Sequence, residues 1–210
     1  MRESNAEEIV NFWLGDSVKS PELADLQHEV WYRGGESLDT EIRNRFGETV
    51  VLARDGALGS WEESPQGALA LVIALDQFTR NIFRGTLEAY SGDEPARGIL
   101  TRALEAGHDQ SLPCTGRIFL YHPFHHSECL AEQNRGVALL EALASNCEPH
   151  WKEYAQRSAT GFSGHRNIVA KFGRFPHRNG TLGRQSTAAE SDFMTAGGET
   201  FGQGPTPKAT

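Results

Sequence analysis

Ser64-Pro65-Gln66-Gly67-Ala68-Leu69-Ala70-Leu71-Val72-Ile73-Ala74-Leu75-Asp76-Gln77-Phe78-Thr79-Arg80-Asn81-Ile82-Phe83-Arg84 reads as a helix start followed by an almost wholly apolar helix. The Ser-Pro pair opens a helix because serine caps free N–H groups and the fixed φ of proline suits the first turn. From Leu69 to Phe83 apolar residues cover most of the circumference, so this helix is expected at the centre of the fold. One stripe interrupts it. Asp76, Arg80 and Arg84 recur at i, i+4 and i+8, with Gln77 and Asn81 on the adjacent row. The stripe is either internal ion pairing that fixes register, or an anion clamp in which Asp76 orients Arg80 and Arg84.

Helix signals recur on both sides of this stretch, and strand-like alternation between hairpin turns does not. Ser4 with Glu7 fits a capping box before Ile9, Val10, Trp13 and Leu14, and Gly15 fits the stop. Ser20-Pro21 opens a helix through Leu23, Leu26 and Val30 that Gly34-Gly35 ends, and a third runs from about Asp39 with Ile42, Phe46 and Val50 on one face. Asp93 is expected to cap a helix that buries Ile99, Leu100, Ala103 and Leu104 and stops at Gly107. A short helix from Cys114 to Leu120 leads to Pro123, which is expected to start a longer one through Leu139, Leu140 and Leu143. Glu148-Pro149 opens another, expected to turn or kink at Gly161 and Gly164 before resuming from Ile168 to Phe172. Thr187 and Glu190 form a further capping-box pattern. The expected fold class is all-α: one domain over residues 1–195, a stack of antiparallel helical hairpins, with a disordered tail at 196–210 rich in Gly, Pro and Thr.

At 210 residues the chain is long enough for one well-filled core. No stretch approaches the roughly 20 apolar residues of a membrane helix, and the acidic N-terminus is unlike a signal peptide, so no membrane is expected and the default compartment is the cytoplasm. The net charge of -8 disfavours nucleic acid and anionic membrane surfaces. Cys114, Cys129 and Cys147 have no close metal-type spacing and read as reduced thiols.

Two further segments concentrate chemistry. Tyr121-His122-Pro123-Phe124-His125-His126-Ser127-Glu128 places three histidines and a carboxylate around an expected helix start, where free backbone amides favour an anion. His126 with Glu128 could transfer protons, or Ser127 and Glu128 could simply cap the helix. His125 with Glu128, at i and i+3, or His122 with His126, at i and i+4, could each hold a metal, but two residues are too few; a third ligand would have to come from His165 or His177. No metal or cofactor is therefore assigned. The second segment, His165 to Arg184, contains Arg166, Arg174, Arg178 and Arg184 in a loop punctuated by Gly173, Pro176, Gly180 and Gly183. If Arg174, Arg178 and Arg184 converge on Arg80 or Arg84 they form an anion pocket; if Asp76, Glu128, Glu190 and Asp192 neutralise them they are structural.

Several of these motifs together resemble a bacterial family, domain of unknown function family 924. They are Phe12-Trp13, Leu75-Asp76-Gln77-Phe78 with Arg80-Asn81 and Arg84, His126-Ser127-Glu128 with Gln133, and Phe172 to Asn179 followed by Leu182-Gly183-Arg184. The resemblance spans about Glu7 to Phe201 and implies an all-helical, tetratricopeptide-like, right-handed superhelix, without implying a reaction. Its pattern carries over to Asp76, Gln77, Arg80, Asn81, Arg84, His126, Ser127, Glu128, Gln133, His165, Arg174, His177, Arg178, Asn179 and Arg184, whereas His122 and His125 look like departures from it.

The leading expectation is a pocket that binds a small anionic molecule. In it Arg80, Arg84, Gln77, Asn81, Ser127, Gln133, Arg174, His177, Arg178, Asn179 and Arg184 hold the ligand, and His126, Glu128, Asp76 and His165 supply any catalysis. The alternatives are a tetratricopeptide-like scaffold that binds a protein or peptide partner, and a metal-dependent enzyme using His126, Glu128 and His165. The sequence fixes no oligomeric state.

Overall fold

Asn5 caps the first helix, α1 (Ala6–Leu14): its side chain accepts the Glu8 N–H at 2.9 Å while the Glu8 carboxylate accepts the Asn5 N–H. The capping box thus sits one residue later than Ser4 and Glu7. The computed structural model describes residues 5–201, so Ser4 lies outside the described residues. Ser20 caps α2 (Pro21–Arg33) as expected. The third helix, α3 (Gly35–Arg54), starts four residues before Asp39, because Gly35 takes a φ of +57° and lets the chain turn without a linker.

The apolar stretch forms one rod, made of α4 (Pro65–Val72), a π-helical segment (Ile73–Phe78) and α5 (Thr79–Ile82). The wide turn closes where the Thr79 N–H and hydroxyl both donate to the Ala74 carbonyl. The rod packs against α1 and α3, and also against α6 (Asp93–Glu105) and α7 (Cys114–His125). It is buried on nearly all sides, the central position its composition demanded. Its aromatic neighbours meet at Phe78, which stacks on Phe46 at 5.0 Å and meets Trp13 edge-on at 5.5 Å. Trp31 ties α2 to this centre through its indole N–H to the Trp13 carbonyl, 2.8 Å.

Three expectations about helix ends are corrected. Pro123 lies inside the last turn of α7, and the next helix, α8 (Leu130–Asn146), begins only at Leu130. The backbone groups without helical partners around His125 and His126 are therefore helix-end carbonyls, that of His125 taken by Gln133, not helix-start amides. Gly161 and Gly164 do not break α9 (Lys152–Phe172), which runs through both. Gly92, not Asp93, stands at the start of α6, and Asp93 is free to pair elsewhere. Thr187 and Glu190 make the expected capping box of α10 (Ala188–Thr195). Of the expected tail, residues 202–210 lie outside the described residues, while Phe201 packs on His165 and against Phe175. Among the described residues the ten α-helices belong to one compact domain, no strand occurs, and no helix is long and apolar enough to cross a membrane.

The backbone of Gly92 presses against the π-helical segment: a Cβ there would lie 2.0 Å from the Leu75 carbonyl oxygen, whereas one on Gly47 meets nothing within 4 Å. Gly92→Ala is expected to cost about 1–3 kcal/mol or more through overpacking. Gly47→Ala in α3 is expected to gain up to about 1 kcal/mol. Thermal melts of the two variants check both.

Candidate functional site

Asp76 is completely buried in the π-helical segment, a surrounding in which a carboxylate persists only when its oxygens are satisfied. His126 Nδ1 lies 2.8 and 2.9 Å from its two oxygens, Gln77 donates to it, and Arg80 reaches it at 3.4 Å. Arg80 also pairs with Asp93 at 2.7 Å, and Arg178 approaches Asp93 at 3.6 Å from the far side, stacking on Phe175 and Tyr90. Two guanidinium groups and two carboxylates thus form one neutral buried cluster. Burial, with Arg80 nearby, lowers Arg178 to about 10.

Arg84, Arg184 and Arg174, the other arginines expected to hold an anion, are likewise paired with carboxylates, whereas Arg166 donates to Asn134 and Asn167. Arg84, beyond the end of α5, makes a two-point contact with Asp39 at 2.7 and 2.9 Å, and Asn81 donates to the same carboxylate at 2.7 Å. Arg184 makes another with Glu128 at 2.6 and 2.9 Å, and Asn179 accepts from its Nε. Arg174 makes a third with Glu190 at 2.6 and 2.7 Å. The Arg174 contact and the Thr187 N–H hold the Glu190 carboxyl down to about 2 despite its burial. Glu128 also accepts the Phe175 N–H at 2.8 Å, so its partners belong to the basic loop, and the carboxylate beside His126 is Asp76.

A cavity of about 830 Å³ opens between α2, α7 and α9. Trp31, Phe119, Phe162 and Phe201 give it aromatic walls, and His122, His125, His126 and His165 form one side. Gly161 and Gly164 line it with no side chain, which explains glycine in the middle of a helix that neither one bends. Of the residues expected at the site, Gln77, His126 and His165 line the cavity. The arginines expected to hold an anion do not; Arg157 is the arginine on the wall, and it is bound to Asp25 at 2.6 and 2.8 Å. With Asp25, Glu29 and Glu199, the lining carries three carboxylates to that one guanidinium.

The four imidazoles crowd together. His125 and His165 have ring centroids 3.5 Å apart, and His126 sits 5.1 Å from His125 and 6.3 Å from His165. Burial, reinforced by neighbouring imidazoles and guanidinium groups, lowers all four and takes His165 to about 3. Three of the rings are anchored through Nδ1: His126 to Asp76, His165 to the Gly161 carbonyl at 3.2 Å, and His122 to the Ile118 carbonyl at 2.8 Å. Gln133 fixes the turn itself, donating to the His125 and Ser127 carbonyls at 2.6 and 2.7 Å, while Ser127 bonds Glu132 and caps the Cys129 N–H. One ligand atom from each of His125, His126 and His165 falls within 4.8 Å of the others. The sequence put His165 and His177 forward as third ligands and paired His125 with Glu128; the structure instead sets His125 between His126 and His165.

Asp93→Ala removes the carboxylate shared by Arg80 and Arg178, and the expected loss is about 3–5 kcal/mol in a denaturant melt, because a buried charge is left uncompensated. His177 supplies a pH test. Burial first, then Arg178 and Arg80, pull it from 6.5 to about 3. Above 6.5 both folded and unfolded chains carry it neutral. Below that the unfolded chain takes up a proton the folded one refuses, so stability falls as pH drops towards 3. Melting temperature measured from neutral pH down to about pH 4 should fall, and less steeply in His177→Asn.

The family described as bacterial protein of unknown function, DUF924, matches residues 9–198. A solved structure of a protein of unknown function from Agrobacterium tumefaciens is 34% identical, with a TM-score of 0.72, over 91% of this chain and 97% of that one. Among curated proteins none matches. A match running from α1 past the end of α10, with a similar solved structure, places this chain in the DUF924 family of bacterial proteins.

Proposed function

We propose that this protein is an enzyme acting on a small molecule held in the cavity between α2, α7 and α9, with the histidine side as the reacting wall. The observation that carries the reading is the Asp76–His126 contact. A buried carboxylate fixes the ring through Nδ1 and leaves Nε2 as the nitrogen free to act, the arrangement by which carboxylates orient imidazoles for chemistry. A neutral imidazole so held is a base towards a proton or a ligand towards a cation. The volume suits an organic molecule, since ligand cavities run from about 300 to 1,000 Å³. The aromatic walls suit an apolar or ring-bearing part of it.

The expected anionic ligand has less support from the arginines, because each is engaged by a carboxylate outside the cavity. An anionic group would need positive charge from another source at the histidine wall.

The test is a thermal-shift screen of metabolites against the chain and against Gly161→Phe, which fills the cavity where a Cβ meets open space. A true ligand at a hundred times its dissociation constant adds about 2.7 kcal/mol to the parent and little to the filled variant. Ligands that stabilise both equally, or none at all, would overturn the reading.

A tetratricopeptide-like scaffold that docks a peptide is the second reading. Its support is the exposed Leu26 and Val30 on α2, 69% and 41% accessible. It requires Leu26→Asp to abolish capture of a protein partner while leaving small-molecule responses unchanged.

A further inference from the structure

We propose that His125, His126 and His165 bind one divalent first-row transition ion, of which zinc is the reference case, with an open coordination position facing the cavity. This rests on the reading of the histidine wall as the reacting side and names what does the work there.

Four observations converge. One ligand atom from each of the three residues lies within 4.8 Å of the others, against the separation of about 3.4 Å set by tetrahedral zinc–nitrogen bonds. The outward nitrogens of two rings are anchored as metal-binding histidines require: Asp76 holds Nδ1 of His126, and the Gly161 carbonyl holds Nδ1 of His165. His125 is buried, and its Nδ1 has no hydrogen-bond partner, which a buried ring nitrogen ordinarily finds. The cavity lining, with three carboxylates to one guanidinium, attracts cations.

Three neutral imidazoles leave the ion its full double charge. A ligand set of three histidines and one open position is that of hydrolytic and hydrating zinc centres, in which bound water loses a proton near neutral pH. The same charge gives an anionic or carbonyl oxygen of a substrate its binding point, the role the paired arginines do not fill inside the cavity. The substrate class that follows is a small molecule with a ring or apolar body and a carboxylate, phosphate or carbonyl oxygen at the end facing the histidines.

The experiment uses the full chain purified without an affinity tag, stripped with a chelator and titrated with Co²⁺ and with Zn²⁺. Binding of one ion per chain is expected, with visible d–d bands of low-symmetry cobalt. X-ray absorption of the zinc-loaded parent should give three imidazoles per ion, a readout that needs no variant. His125→Ala with His165→Ala should weaken binding at least a hundredfold and Asp76→Asn about 10–100-fold. His150→Ala, on an exposed turn, should change nothing. Less than half an ion per chain, one imidazole or none in the absorption spectrum, or undiminished binding by the folded double variant would overturn the metal site. The Gly161→Phe screen reads organic ligands independently. A chain that binds an organic ligand but no ion loses only this inference, and one that binds an ion but no organic ligand loses only the cavity reading.

Discussion

The carboxylate of Asp76 is the constraint on which the arrangement depends. It is buried without any exposure at the middle of the most apolar helix, and its oxygens serve Gln77 and Arg80 of the same rod and His126 from fifty positions away. Through Arg80 it joins the charge cluster of Asp93 and Arg178, and through His126 it reaches the cavity. The π-helical segment that carries it is a departure from the regular helix of a kind frequent at functional sites. Burial of Phe78, Leu75 and Ile73 around it contributes about 1.5–3 kcal/mol per side chain, which offsets the desolvation of one well-bonded carboxylate.

Charge and neutrality are divided between two faces of this one group. On one side the arginines are locked by Asp39, Asp93, Glu128 and Glu190, fixing the basic loop on the helical body. On the other, four imidazoles are kept uncharged by burial and by the positive charges behind them. Arg80 and Arg178 thus add to the effect of burial, making protonation of these histidines costly.

The helices were legible because caps and apolar periodicity are local: Ser20, Ser64 and Thr187 each open a helix where expected. Legibility failed where tertiary contacts override local preference. Pro123 reads as a helix start, yet it is held inside α7, and Gly161 and Gly164 read as a break although α9 continues through them to leave room for the cavity. At the candidate site, residue type and setting point to Asp76, His126 and His165. They do not point to the partners, because Asp76 and His126 are fifty positions apart and helix periodicity carries no information on which faces meet. The density of arginine pointed to a pocket, but density alone does not distinguish a pocket from a set of ion pairs whose acids lie elsewhere in the chain.

Phe201 stacks on His165 with ring centroids 3.5 Å apart and belongs to the same cavity wall as Trp31 of α2. Residues near both ends of the described chain therefore close a space whose histidine side comes from its middle. Such long sequence separations are formed late in folding, since chain closure must precede the contacts that reward it. During synthesis the enclosure cannot be complete until residue 201 has been made. A nascent chain would hold its helices and central rod while one wall of the cavity is still missing.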